Sequence, residues 1–227
     1  EVGVFRRSEP FSIGIWMNIP KDLHEGVLFH KSIAERLYNF RGYHLYLRND
    51  RLELNMAHAA PSNAITKISQ QSVPRDRWIH LAVTYDGSSR APGLALYMDG
   101  NELSMETVTD QLTKDILFKS KVQPGLQVGA WDRGFGFKGG KADDIVIYDR
   151  VLTAFEVKVL ARQSSWASYI AEVSGALADA ERAAARVTGD SHKAAAWTMI
   201  GTLRRTRGDA AGARTAFIRA MNAAQGS

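Results

Sequence analysis

The stretch Trp78-Ile79-His80-Leu81-Ala82-Val83-Thr84-Tyr85-Asp86-Gly87 decides the fold. Its residues Ile79, Leu81, Val83 and Tyr85 alternate with Trp78, His80, Ala82 and Thr84. A period of two is that of a β-strand with one face on a core and the other toward solvent or a second layer. Asp86-Gly87-Ser88-Ser89 then closes the strand. The same alternation recurs outward in both directions: Phe11, Ile13, Ile15 and Met17; Tyr43, Leu45 and Leu47; Leu52, Leu54 and Met56; Leu94, Leu96 and Met98. Asn49-Asp50 separates two of these runs and reads as a hairpin turn. Asp99-Gly100 does the same between Leu94–Met98 and an expected strand Glu102–Val108, and it is the stronger signal because glycine accepts positive φ. Many short strands with regular turns and no interleaved helices predict an antiparallel sandwich or barrel. The first strand, Phe11–Asn18, is expected beside the last, Asp144–Tyr148, with Ile13, Ile15, Ile145 and Ile147 buried.

The period changes after Arg150. Thr153 and Glu156 stand at the spacing of a capping box, with Leu152 and Val157 at the positions of a hydrophobic staple. They predict a short helix packed against an edge of the sandwich. Further on, Trp166, Ile170, Val173, Leu177, Ala180, Ala184 and Val187 recur at three and four, making one apolar helical stripe. Thr188-Gly189-Asp190-Ser191 breaks it. A further helix is expected from about Lys193 to Arg207, stopped by Gly208, and another from Asp209 as N-cap to about Ala224. The expected division is a sandwich with its closing helix over 1–163 and a helical tail over 164–227.

The chain has 227 residues, 45% hydrophobic and 23% charged, an ordinary globular mix that can bury a core. It has no cysteine, which excludes disulfides and cysteine-based metal sites. No apolar run is long enough for a membrane helix. The chain opens at Glu1, and it reads as a mature form or a fragment of something longer. The net charge is +5, of which residues 161–227 carry +4, so the first domain is nearly neutral and the tail basic. Arg204, Arg205 and Arg207 could meet an acidic partner. No nucleic-acid motif or interleaved aromatic accompanies them, so a solvated helix face is the preferred reading and no nucleic acid is expected.

Four segments, in order, carry a resemblance: Glu9-Pro10-Phe11-Ser12-Ile13-Gly14-Ile15-Trp16-Met17, then Trp78 to Gly87, then Leu96-Tyr97-Met98-Asp99-Gly100, and finally Ala142-Asp143-Asp144-Ile145-Val146-Ile147-Tyr148-Asp149-Arg150-Val151-Leu152-Thr153. Together they resemble the laminin-G-like, concanavalin A-like jelly-roll domain of bacterial multidomain, exported proteins. The resemblance implies a mainly β, two-sheet antiparallel sandwich, here with a C-terminal α-helical tail. Tyr38 to Leu45 is similar to versions of this domain that accompany cytochrome-like domains, but the haem motif C-x-x-C-H does not occur. In the tail, Trp197, Ile200, Gly201, Ala213, Phe217 and Ala220 resemble a single tetratricopeptide unit. Arg204 and Gln225 depart from that pattern, and no second repeat precedes it.

Sandwich hydrolases use paired carboxylates on a sheet face. No acidic pair at a spacing of two occurs in the expected strands. Glu53 is the single carboxylate within an alternating run and reads as a solvent-facing partner for a nearby arginine. Asp143 and Asp144 are adjacent and point to opposite faces. No close histidine pair suggests zinc, and His80 reads as a packed or hydrogen-bonded sandwich residue. Relatives of the fold bind calcium, and its oxygen ligands would come from Asp99, Asp132, Asp143 and Asp144, although Asp99 also fits a plain turn residue.

The expected function is noncatalytic recognition of a glycan or a protein partner, outside the cytoplasm: periplasmic, at the cell surface or secreted. Trp131, Asp132 and Arg133 in one loop and Asn39 and Arg41 in another supply an aromatic platform with planar polar groups. A Trp131 that plugs the end of the sandwich is an equal alternative. A structural role docking other domains of one polypeptide, and a carbohydrate-active hydrolase or lyase, are the competing classes.

Overall fold

The computed structural model describes residues 2–32, 40–119, 123–130, 136–163, 175, 177–178, 180–182, 184–186, 190–206 and 208–225. The chain forms two compact units, residues 1–163 and 164–227.

The first unit is an antiparallel β-sandwich. Its strands are β1 (Phe11–Asn18), β2 (Glu25–Ser32), β3 (Gly42–Arg48), β4 (Arg51–Ala59), β5 (Asn63–Ser69), β6 (Trp78–Tyr85), β7 (Leu94–Met98), β8 (Asn101–Glu102), β9 (Met105–Asp110), β10 (Gln127–Val128) and β11 (Lys141–Tyr148). Five form one sheet in the order β11-β1-β6-β7-β8, and six form the other in the order β10-β2-β3-β4-β5-β9. The alternation read from the sequence is the one that fills the core: Phe11, Ile13, Ile15, Met17, Leu45, Leu47, Leu52, Leu54, Met56, Ile79, Leu81, Val83 and Tyr85 are all buried between the sheets. Asn49 and Asp50 both take positive φ, 47° and 64°, between the paired residues Arg48 and Arg51. That is the mirror-image turn a two-residue hairpin needs. Asp99 and Gly100 repeat it, at 49° and 82°. The expected strand Glu102–Val108 is instead divided: β8 closes the five-stranded sheet, and β9 crosses to the edge of the six-stranded one.

β1 pairs with β11 antiparallel, Ile13 opposite Ile147. The expectation for their burial holds only in part. Ile13 and Ile15 are buried and Ile147 is partly so, but Ile145 is 40% exposed. The register runs Gly14 to Val146 and then Trp16 to Asp143, so Asp144 and Ile145 together face Ile15. One extra residue is a β-bulge, and it turns Ile145 out of the alternation. Asp144, with φ 48°, carries the distortion.

Helix α1 (Ala154–Leu160) begins as the sequence predicts. Thr153 accepts from the Glu156 amide, and Glu156 reaches back to the Thr153 amide at 2.8 Å. Arg150 holds the same carboxylate at 2.7 Å. Leu152 and Val157 are buried, and α1 lies toward the β8 edge of the five-stranded sheet, as expected. It packs on the outer face of the five-stranded sheet, against Ala82, Ala95, Tyr97 and Tyr148. The small side chains of Ala82 and Ala95 leave room for the staple.

In the second unit, Leu177, Ala180 and Ala184, members of the predicted stripe, are buried with Ile200 and Ala216. Helix α2 (Asp190–Thr206) begins at Asp190 rather than Lys193, and α3 (Ala210–Gln225) follows, with the Asp209 carboxylate accepting from the Gly212 amide at 2.8 Å. Phe217 lies over Gly201, where a Cβ would come within 2.7 Å of its ring. Trp197 is only half-buried, with Arg219 4.5 Å above its ring, so Ile200 is the buried anchor of the hairpin. Arg204 pairs with Glu181 at 2.8 Å.

Candidate functional site

The outer face of the six-stranded sheet is polar. One registered row crosses all six strands: Gln127, His30, His44, Asn55, Thr66 and Thr109. Directly opposed residues of an antiparallel ladder share a face, so these six side chains stand on one surface, away from the core. His44 and Asn55 come from positions that the alternation assigns to the outside, yet the middle of the row is nearly closed to solvent. His30 and His44 are each 3% exposed and Asn55 is 2% exposed.

The polar groups of the row are partly tied to protein. His30 Nε2 donates to the Ala130 carbonyl at 2.9 Å, leaving Nδ1 to accept from the Ser32 hydroxyl at 3.2 Å. Burial pushes the His30 imidazole below its usual range against those backbone bonds, so it is neutral at pH 7. Thr66 donates to Asn55 Oδ1 at 2.8 Å. Asn55 Nδ2 and Thr109 Oγ1 are buried with no protein partner. A buried donor without an acceptor costs about 1–3 kcal/mol.

Glu53 is not the solvent-facing carboxylate that the sequence suggested. It is 9% exposed, opposite Tyr46 on β3. Arg48 Nε bonds it at 2.6 Å, and His44 Nε2 lies 3.4 Å away. Burial opposes its charge, but the His44 imidazole and the Arg48 guanidinium outweigh it and hold the carboxyl below its usual range. Glu53 is thus an ionised, neutralised group rather than a proton donor.

Of the two loops singled out from the sequence, one follows β2 and the other follows β10, its neighbour in the sheet. Ser32 at the end of β2 pairs with Gly42, and just outside that pair the Phe40 ring meets His44 edge-on at 6.3 Å. Gly42 has φ 115°, and a Cβ there would lie 2.1 Å from the Lys31 carbonyl, so only glycine closes this neck. The other loop is pinned where the Gly129 amide donates to Leu28 at 2.9 Å and the Phe137 amide donates to Gly129 at 2.8 Å. Ala130 then touches His30. The described flanks of the two loops therefore meet neighbouring histidines of one row. Asn39, Trp131, Asp132 and Arg133 lie outside the described residues. Arg41 is described, and its guanidinium is committed to the His58 carbonyl and ring, both at 3.0 Å, and to the Phe118 ring at 5.5 Å. It clasps the end of β4 to the segment near residue 118.

The calcium candidates among the described residues do not form a cage. Asp99 accepts from Arg77 and from the His80 amide, Asp144 is held by Arg162 at 2.9 Å, and Asp143 accepts from the Asp144 amide. Among the described residues no three His, Cys, Asp or Glu side chains gather to hold a metal. The fourth candidate, Asp132, is not among them. No described helix is long and apolar enough to cross a membrane.

The family model of the concanavalin A-like lectin/glucanases superfamily matches residues 2–158. The chain belongs to this superfamily. Solved structures of similar fold include the following. The Ruminococcus gnavus IT-sialidase CBM40 bound to α2,3 sialyllactose superposes with a TM-score of 0.51 at 15% identity, covering 67% of this chain and 83% of that one. A native heptameric SAP-like pentraxin from Limulus polyphemus gives 0.45 at 18% identity, with coverage of 68% and 70%. A putative carbohydrate binding protein from Bacteroides ovatus gives 0.47 at 18%, with 70% of this chain but only 42% of that one covered. No curated protein sequence matches the chain.

The polar row was not found in the sequence. Only His44 and Asn55 lie on strands that the sequence reading expected; β2, β5 and β10 were not among them, and Thr109 falls just past the expected strand Glu102–Val108. Only the strand order brings them together.

Proposed function

We propose that the chain is a noncatalytic recognition module that binds a glycan on the outer face of its six-stranded sheet, with the loops carrying Asn39 and Trp131–Arg133 completing the site. The observation that carries this reading is the row from Gln127 to Thr109, a line of side chains that donate and accept, exposed at Gln127 and partly so at Thr66 and Thr109, with the described flanks of both loops meeting it at His30 and His44. Sugar hydroxyls likewise both donate and accept. The superfamily and the carbohydrate-binding proteins of like fold support the same reading. Catalysis would require a second carboxylate near Glu53. The neighbouring carboxylate, Glu25 on β2, stands opposite Arg48 and shares that cation with Glu53, which Arg48 itself neutralises.

A glycan of this kind would be met outside the cytoplasm, and that placement belongs to the proposal. So does the division of labour: residues 1–163 form the recognition domain, and 164–227 a helical appendage whose α2–α3 hairpin is a single tetratricopeptide-like unit, a reading supported by the packing of Phe217 over Gly201.

A glycan array probed with the whole chain tests the reading. It should return a defined set of sugars, and Trp131→Ala and Arg133→Ala should lose them while the far-ultraviolet circular dichroism stays that of the parent. Parent-like binding by both variants would remove the loops from the site. A silent array together with a co-purifying protein would favour a docking role instead.

A further inference from the structure

Helix α1 has seven residues, about 10 Å of length. The strands beneath it, β1, β6 and β11, have eight residues each, about 27 Å. The helix therefore cannot cover the outer face of the five-stranded sheet, and its apolar partners lie at one end, on Ala82, Ala95, Tyr97 and Tyr148. Two registered rows remain beyond it: Lys141, Asn18 and Trp78, and then Asp143, Trp16 and His80. Three strands by two rows span about 10 by 7 Å, room for one or two sugar rings.

The chemistry of this half-face is distinctive. Trp78 is 42% exposed, Lys141 and Asp143 are exposed, and Asn18 and Trp16 are half-buried. The Arg162 guanidinium lies 5.2 Å over the Trp16 ring and is fixed by Asp144 at 2.9 Å. Trp16 in turn meets the His80 ring edge-on at 5.3 Å. His80 is 1% exposed, and its Nδ1 has no hydrogen-bond partner. Two cations, Lys141 and Arg162, are balanced by two anions, Asp143 and Asp144.

We infer that this half-face is a second carbohydrate site, separate from the six-stranded sheet and selective for neutral sugars. The C–H face of a pyranose ring stacks on Trp78, as apolar surface does on any exposed indole. Asn18, opposed to Trp78 in the ladder, supplies an amide that both donates to and accepts from ring hydroxyls. Asp143 accepts from a second hydroxyl, and the Arg162–Asp144 pair walls the site beside α1. The balanced charge gives a carboxylated sugar no advantage over a neutral one. This site does not depend on the polar row, and the two readings can fail separately.

The test is titration of the whole chain with neutral oligosaccharides (cello-, xylo-, manno- and laminari-series) and with sialyllactose and oligogalacturonate as acidic probes. Trp78→Ala should weaken binding of a neutral probe at least about tenfold, Asn18→Ala should weaken it less, and Trp78→Phe should retain most of it. Met199→Ala, at an exposed position of the helical tail, should leave that binding unchanged. The proposal is overturned if no neutral probe binds at millimolar concentration, if Trp78→Ala binds as the parent does, or if the acidic probes bind this face more tightly. A partner protein lost in Trp78→Ala with no sugar bound would likewise replace the glycan with a protein contact.

Discussion

One sheet hides half of its outer face under an apolar helix; the other keeps a polar row across its whole width. On the five-stranded sheet, Leu152, Val157 and Leu160 seal Ala82 and Tyr97. On the six-stranded sheet, His30, His44, Glu53 and Asn55 are as inaccessible as core residues, although every one is polar. Both faces are buried by the same measure, but one is stabilised by removing apolar area from water and the other only to the extent that its polar groups find partners. Burial alone thus does not say which face is structural.

The largest expected effect is on the sealed face. Leu152→Ala removes a fully packed staple and should cost about 3 kcal/mol in urea unfolding; a loss under about 1 kcal/mol would mean that α1 is a loose cover. Acid should follow. Burial, with Arg162 adding to it against Asp99, holds the His80 imidazole down at about 4. The unfolded chain binds that proton near pH 6.5. The contribution is therefore complete above pH 6.5 and is lost as pH falls from 6.5 through 4, on the order of 2–3 kcal/mol. His80→Leu should flatten this limb of the stability profile, and an unchanged slope would assign it to other groups.

On the polar face, Glu53→Gln should cost about 1–2 kcal/mol, because Arg48 and His44 lose a charged acceptor but keep an amide oxygen. If this substitution costs more than Leu152→Ala, the contrast between the faces is reversed. The smallest effect is expected at the helix start, where Thr153→Ala should cost about 1 kcal/mol by freeing the Glu156 amide, visible as a small shift in thermal midpoint.

How much of this was legible follows from the range of each interaction. Alternation, turns and the capping box are local, and the strands around Trp78 and Phe11, the Asn49-Asp50 turn and the Thr153–Glu156 box all stand as the sequence predicted. What failed depended on register or on coverage. Ile145 looked like a core residue because nothing in Asp143-Asp144-Ile145 announces that two residues will face one. Glu53 looked solvent-exposed because its alternation is that of an outer position, and the sequence does not say that an outer face will be closed. Of the two loops chosen by composition, Asn39 and Trp131–Arg133 lie outside the described residues and Arg41 is committed to His58, while the polar row needed the order of six strands.

The bulge that turns Ile145 outward has a wider consequence. β11 and β9 are the long outermost strands, and each is interrupted: β11 at Asp144–Ile145, and β9 at Val108, which the ladder skips between Thr107 and Thr109. The other two outermost strands, β8 and β10, are two residues long. A regular run of free amides and carbonyls is a template onto which a foreign strand can zip. As described, none of the four borders offers one of any length. The sandwich is therefore built to resist joining its own copies sheet to sheet at high concentration, and a partner has to approach through faces and loops.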